Sequence, residues 1–428
     1  MKKIFSLLII FLSFILSVYS QVVHQSIWDN YKENYKIKIS MGVQMWNTYT
    51  IGQEIFDKES NSYKAVDNRF NTQLRRTRMT FAGQPYNNLK FKITASLDLI
   101  GKDLLSSSQG GANNGGSPIF RIWNAYVDWK IKSNSELFHV VAGYIPPQIG
   151  RESITSALKS TSFEKSWSQN YLRRSIVGLG PGRAMGLNFG GQYLTKKKVG
   201  FSYDLGIYSP EAFALGGNSS GFDYAPLLAG RLALYLGDPE SDSYSINHKV
   251  NYFGKRRGLT IALAGAYQGQ NDLFISNEAV GLDWLFNYKY INLDGEWTFF
   301  NRVGQDGDRQ FDVKSNTGYI RLGYNIYIKG ASFLEPVLMY VKYNGPMDLD
   351  AQNDASIVKT FAGNDEIIDI GVNYHINKNL KITFTYTMNK GDQGEAEDGI
   401  TFNNYFDQGG IGAIKRGDLL GLGLVGVF

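Results

Sequence analysis

From Tyr35 to Trp46 the chain alternates without a break. Tyr35, Ile37, Ile39, Met41, Val43 and Met45 occupy one phase; Lys36, Lys38, Ser40, Gly42, Gln44 and Trp46 occupy the other. Successive side chains of a strand point to opposite faces, so this rhythm makes one apolar and one polar surface. A slip of one residue would turn both lysines to the apolar side, which pins the register. The rhythm returns at Leu89–Leu99, Val199–Tyr208, Val280–Lys289, Ile291–Phe299, Leu380–Met388 and Leu420–Phe428. Counting every such segment gives about 16 strands, an even number that suits a closed barrel.

Composition says what the apolar face meets. The chain carries 47 Gly and 27 Tyr, and its mean hydropathy is −0.24, an odd profile for 428 residues packing a soluble core. Beyond the N-terminus no stretch approaches the roughly 18 apolar residues a membrane helix needs. A barrel with lipid outside and water inside resolves both facts, because only every second strand residue must be apolar. The fold class is therefore all-β: a transmembrane antiparallel β-barrel of about 16 strands with long outer loops.

Residues 1–20 read as an export signal: Lys2 and Lys3, an apolar run Ile4–Leu16, then Val18-Tyr19-Ser20 before Gln21. Residues 21–428 then form one barrel domain, placed in the bacterial outer membrane. Absence of Cys excludes disulfides, a cysteine-linked lipid anchor and thiolate metal sites. The last strand, ending on Phe428, resembles the assembly signal of outer-membrane proteins and must pair with the first to remove both sheet edges.

Connection lengths alternate as a barrel requires. Asn47–Thr72, Gly101–Ser117, Gln148–Arg183, Asn344–Asp365 and Asn389–Arg416 read as outer loops; Gln84–Asn88, Lys132–Glu136, Thr195–Lys198 and Asn377–Asn379 read as periplasmic turns. Asp238–Arg257 breaks the pattern. It should be a short turn, so either its flanks extend the strands or a segment is misplaced.

The stretch Gln148–Arg183 is too long for an ordinary connection. Phe163, Trp167 and Tyr171 recur every fourth residue, which predicts a short helix over Phe163–Arg174 with one aromatic face, capped by Thr161 and Glu164. Its basic residues are Arg151, Lys159, Lys165, Arg173, Arg174 and Arg183, against Glu152 and Glu164. We expect a cationic constriction loop folded inward, with Phe163, Trp167 and Tyr171 anchoring it to the wall. An exposed loop with a solvated basic face is the alternative.

Among strand residues, Arg76 and Arg78 lie opposite Thr77, Met79 and Phe81, Arg231 opposite Leu232 and Leu234, and Arg321 opposite Ile320 and Leu322. Each should face the lumen, since a lipid-facing charge costs roughly 2–4 kcal/mol at mid-membrane. There they either meet passing anions, for which the guanidinium fork is suited, or pair with Asp98, Asp128, Asp204, Asp283, Asp294 and Glu296.

Arg75-Arg-Thr-Arg-Met-Thr-Phe81, Asn124-Ala-Tyr-Val-Asp-Trp129 and Gly143-Tyr-Ile-Pro-Pro-Gln-Ile-Gly-Arg-Glu152 resemble hallmark segments of the phosphate-selective porin O and P family. The resemblance implies a trimeric anion channel with an inward loop and arginines along the pore. The expected function is an outer-membrane porin: a water-filled diffusion channel for small anionic solutes, phosphate being one candidate. Expected partners are those anions, outer-membrane lipid and two further copies of the chain, with no cofactor, metal or nucleic acid. A non-transport barrel serving as a surface-binding or structural scaffold is the alternative. An enzyme is not expected, because His24, His139, His248 and His375 are scattered and no nucleophile–base grouping is evident.

Overall fold

Lipid on one side and water on the other sort the side chains of every strand. The computed structural model describes residues 32–57, 59–103, 105–106, 120–178, 181–210, 223–396, 407–408 and 412–428; the expected export signal lies outside them. The first strands are β1 (Lys38–Ile51), β2 (Arg69–Tyr86), β3 (Leu89–Leu97) and β4 (Phe120–Lys130). Next come β5 (His139–Ile145), β6 (Ala184–Leu194), β7 (Val199–Ser209) and β8 (Leu227–Gly237). They continue with β9 (Gly258–Gln268), β10 (Ser276–Tyr288), β11 (Ile291–Asp306) and β12 (Arg309–Tyr324). The last four are β13 (Ser332–Asn344), β14 (Asn364–Asn377), β15 (Leu380–Asp392) and β16 (Asp418–Val427). Each pairs antiparallel with its sequence neighbour, and β16 returns to β1, closing a barrel of sixteen strands.

Burial is inverted relative to a soluble protein. Along β8, Leu228, Leu232, Leu234 and Leu236 are exposed, whereas Ala229, Arg231, Ala233 and Tyr235 are buried. Exposed Tyr86, Tyr193, Tyr288 and Tyr324 sit at the periplasmic strand ends, and Phe70, Phe120, Tyr224 and Tyr267 at the outer ends. Such aromatic girdles mark the two membrane interfaces.

Among the register shifts of the sheet, β-bulges in β2 and β4 alter which residues face the lumen. In β2 the pairing with β1 steps from Arg76 opposite Gln44 to Leu74 opposite Met45, so Arg75 is the extra residue. It turns inward with Arg76 and Arg78, and all three are buried. In β4 the pairing with β3 steps from Asn124 to Ile122, leaving Trp123 as the extra residue. A bulge thus places side chains in the lumen that alternation assigns to lipid.

The long-short rule holds with three exceptions. Outer connections 269–275 and 307–308 are short, the latter a tight turn with Gly307 at φ 59°. On the periplasmic side, 238–257 is a real long connection. No strand is misplaced there, because β8 and β9 pair in register from Leu227–Gln268 to Gly237–Gly258.

The seam is short of nothing in its ladder. β1 pairs with β16 from Gly42–Val427 to Ile51–Asp418, and Met41 and Phe428 exchange backbone bonds of 2.8 and 2.7 Å. Deleting Phe428 removes both, at about 1 kcal/mol each. Export should persist while the heat-modifiable folded form in the outer membrane falls; unchanged accumulation on a semi-native gel would contradict this.

Candidate functional site

Residues 146–178 and 181–183, between β5 and β6, fold into the lumen. Gly150 makes the first turn at φ 73°, and a Cβ there would lie 2.4 Å from Leu172. Helix α1 (Arg151–Ile154) follows, then a 3-10 turn Ala157–Lys159, then helix α2 (Ser168–Val177), ended by Gly178 in the left-handed region. The helix starts five residues later than the aromatic spacing predicts. Phe163 precedes it, and no capping box forms: Trp167 is the N-cap and makes no side-chain cap bond. Glu164 is drawn off to the wall, where Arg75 and Arg76 bind it.

The three aromatics therefore occupy separate seats. Phe163 stacks on Trp46 of β1 with ring centroids 4.4 Å apart. It lies over Gly421 and Gly423, where any Cβ would come within 2.6 and 2.9 Å of its ring. Tyr171 stacks on Tyr343 of β13 at 3.9 Å and donates to Asp365 at 2.6 Å. Trp167 is buried, with the Arg416 guanidinium 4.2 Å from its ring, and Arg416 pairs with Asp365 at 2.8 Å.

Charge pairing ties the loop to the wall. Arg321 of β12 binds Asp294 at 2.6 Å and the loop's Glu152 at 3.1 Å. Burial alone would raise the Glu152 carboxyl, but Arg321 and Lys165 outweigh it and hold it at about 2. Arg151 binds Asp283 at 3.0 Å and Glu240 at 2.8 Å, and Arg231 binds Asp283 at 2.8 Å. Glu296 of β11 accepts from the Glu152 amide at 3.0 Å and the Ser168 hydroxyl at 2.7 Å. Arg78 pairs with Asp98 of the segment after β3.

These pairs redraw the sequence expectation. Arg151, Arg231 and Arg321 point inward but lie between loop and wall, held by carboxylates, and do not border the open cavity. Arg76 and Arg78 border it while paired. Arg174, on α2, is not part of the cavity wall. Of the carboxylates expected as partners, Asp98, Asp283 and Asp294 take arginines. Asp128 instead faces His139 at 2.8 Å, and Asp204 accepts from Tyr244 and Asn188.

The cavity, of about 430 Å³, runs from β1–β4 past the inner edge of the loop to Ser202, Asp204 and Tyr235 on β7 and β8 and to Glu240 in the turn 238–257. Lys165, Arg173 and Arg183 converge on it. Lys165 donates to the Thr155 carbonyl at 2.8 Å and to that of Glu152, Arg173 to the Ser153 carbonyl at 2.8 Å. Arg183 donates to Asn124 at 3.3 Å and to the Pro181 carbonyl. Among the described residues none of the three has an ion-pair partner, and the Arg173 Nε has no acceptor. Burial, then the nearby Arg173, push the Lys165 ammonium well below its usual range. Burial lowers Arg183 as well, with Arg173 and Arg78 adding to it. Burial is the larger cause at both residues, like-charge neighbours add to it, and Glu152 opposes it at Lys165.

One feature of this site escapes strict alternation: the bulged Trp123 carries Arg78 at 4.0 Å and Arg183 at 4.3 Å from its ring. Lys92, in the polar phase of β3, borders the same cavity. The run Arg75-Arg-x-Arg78 is itself the signal for a bulge, since strict alternation would leave Arg75 in lipid.

This geometry defines an outer-membrane porin: a closed sixteen-stranded barrel whose lumen is narrowed by an inward loop. The model of the phosphate-selective porin O and P family matches residues 48–212 and 258–403, and the chain belongs to that family. OprB of Pseudomonas putida is similar at 10% identity and TM-score 0.54, covering 94% of this chain and 96% of its own. The Acinetobacter baumannii outer-membrane channel DcaP is similar at 13% identity and TM-score 0.51, covering 92% and 97%. An anion-selective porin from Comamonas acidovorans is similar at 11% identity and TM-score 0.50, covering 92% and 100%. These likenesses establish the fold. No curated protein matches the sequence.

The aromatic seats imply that the loop's position depends on them. Trp167→Ala should remove about 3–5 kcal/mol of packing, loosen α2 and give larger, noisier single-channel conductance in planar bilayers. Wild-type conductance and noise would show that Trp167 does not hold the loop.

Proposed function

We propose that this porin is a diffusion channel selective for small anions, phosphate among them. The reading rests on one observation: Lys165, Arg173 and Arg183 converge on the open cavity without carboxylate partners, whereas Arg75, Arg76, Arg78, Arg151, Arg231 and Arg321 are all paired. A fixed charge in a narrow, low-dielectric passage acts strongly on a passing ion. An oxyanion entering here exchanges hydration for guanidinium and ammonium donors, and relieves the repulsion among three crowded cations. Release is helped because the donors already engage backbone carbonyls, which retain them when the anion leaves.

Gly182 supports the arrangement. Its φ is 62°, and a Cβ there would sit 2.2 Å from the Arg173 side chain, so the glycine lets Arg183 and Arg173 lie close.

Replacing Arg173 and Arg183 together by Gln should move the zero-current potential in a salt gradient toward the cation side, with the barrel intact. An unmoved potential would remove the proposal. The sign of the pH effect follows from Lys165: it is charged below its lowered pKa, so anion preference should decline at a lower pH than an ordinary lysine would set. Lys165→Gln should abolish that titration.

A further inference from the structure

The long periplasmic connection 238–257 has a feature no solvent-facing turn requires: Tyr244, Ile246 and Val250 are buried. It rises into the lumen from below. Tyr244 donates to Asp204 of β7 at 2.5 Å, and Asn251 donates to Glu335 of β13 at 2.8 Å. At its crest it meets the constriction loop edge to edge. Thr155 and His248 form a parallel β-bridge, with the His248 amide donating to the Ile154 carbonyl at 3.2 Å and the Ser156 amide to the His248 carbonyl at 3.4 Å. Beneath the bridge one carboxylate oxygen of Glu240 accepts from Arg151 at 2.8 Å and lies 2.9 Å from His248 Nδ1. The Tyr252 hydroxyl donates to the Glu240 carbonyl at 2.9 Å.

We propose that this turn is a periplasmic bracket that sets the bore of the channel, with Glu240 as its positioning residue. Loop residues 151–158 cross the lumen as a bar seated at both ends. One end is the Arg151–Glu240–His248 joint. At the other, Leu158 lodges over Gly42 of β1, where a Cβ would lie 2.2 Å from its Cδ1. Ser153, Thr155 and Ser156 of the bar border the cavity, as do Ser241 and Asn247 of the turn. The distance between bar and wall is the bore, and the bracket fixes where the bar sits. Arg151 shares Asp283 with Arg231, so Glu240 balances the second guanidinium and also links it to the turn.

The inference rests on the channel, and not on its preference for anions. A neutral sugar senses bore but not fixed charge, so liposome swelling with neutral sugars of increasing size isolates it from the reversal potential. Glu240→Ala should shift the size cut-off to larger sugars. The chain has no cysteine, so Thr155→Cys with His248→Cys gives one defined disulfide between bridge partners, which lie within disulfide reach. Added to Glu240→Ala, the oxidised pair should restore the parent cut-off, and reduction should widen it again. An unchanged cut-off in Glu240→Ala, or a wide one in the oxidised triple variant, would overturn the bracket. If Glu240→Ala does not accumulate as a folded barrel, the T155C/H248C pair alone carries the test. A disulfide forming in the assembled protein supports the seating, and failure to form overturns it.

Discussion

The interior of this barrel depends on charge pairing between loop and wall. Arg321 is the plainest case: one guanidinium holds Asp294 of the wall and Glu152 of the loop, and donates to Ser160 and Ser162 as well. The loop buries apolar side chains against the wall, Leu172, Ile176 and Val177 in one cluster and Trp167 and Tyr171 in another. Its polar groups must in addition be ordered against conformational entropy by directional contacts. Removing one member of a buried pair costs on the order of 3–5 kcal/mol because the other is left uncompensated. The pairs therefore fix the loop, and by being satisfied they are spent as far as a passing ion is concerned. On the proposed reading, function falls to the cations that the loop's geometry leaves over.

Shape completes what charge begins. Gly421 and Gly423 clear the wall for Phe163, Gly42 clears it for Leu158, and Gly182 clears the approach to Arg173. Aromatic seats on β1 and β13, a quarter-turn apart around the barrel, hold the loop. The turn 238–257 meets it from below. A segment gripped in three places behaves as a rigid constriction, which keeps Lys165, Arg173 and Arg183 at fixed separations along the path.

How much of this was legible in the sequence depended on which physical term decided each feature. Alternation in β1 and the final strand reports the lipid boundary directly, so strand number, closure and the inward-facing arginines could be read from it. The inward loop was legible from its length and aromatic content. Its helix boundary was not, because Arg75 and Arg76 compete for Glu164, a long-range pairing that local spacing cannot see. Trp123 was hidden by a bulge, which adds a residue and flips the phase of the strand beyond it, whereas the bulge at Arg75 left its signal in the run of arginines. The division between paired and unpaired cations was out of reach too: Arg321 and Arg173 are the same residue type, and among the described residues only the fold brings a carboxylate within ion-pairing distance of one and not of the other. Asp238–Arg257 stood out as an anomaly in length, and its physical cause is the buried face it presents to the lumen.

The central claim is that pairing decides which cations meet solute. Anomalous diffraction from crystals soaked in bromide tests it most directly, because bromide competes for unpaired cations and not for satisfied ones. The account predicts anomalous peaks within contact distance of Lys165, Arg173 and Arg183, and none at Arg151, Arg231 or Arg321. Peaks at the latter three, with an empty cavity beside Arg173, would contradict it.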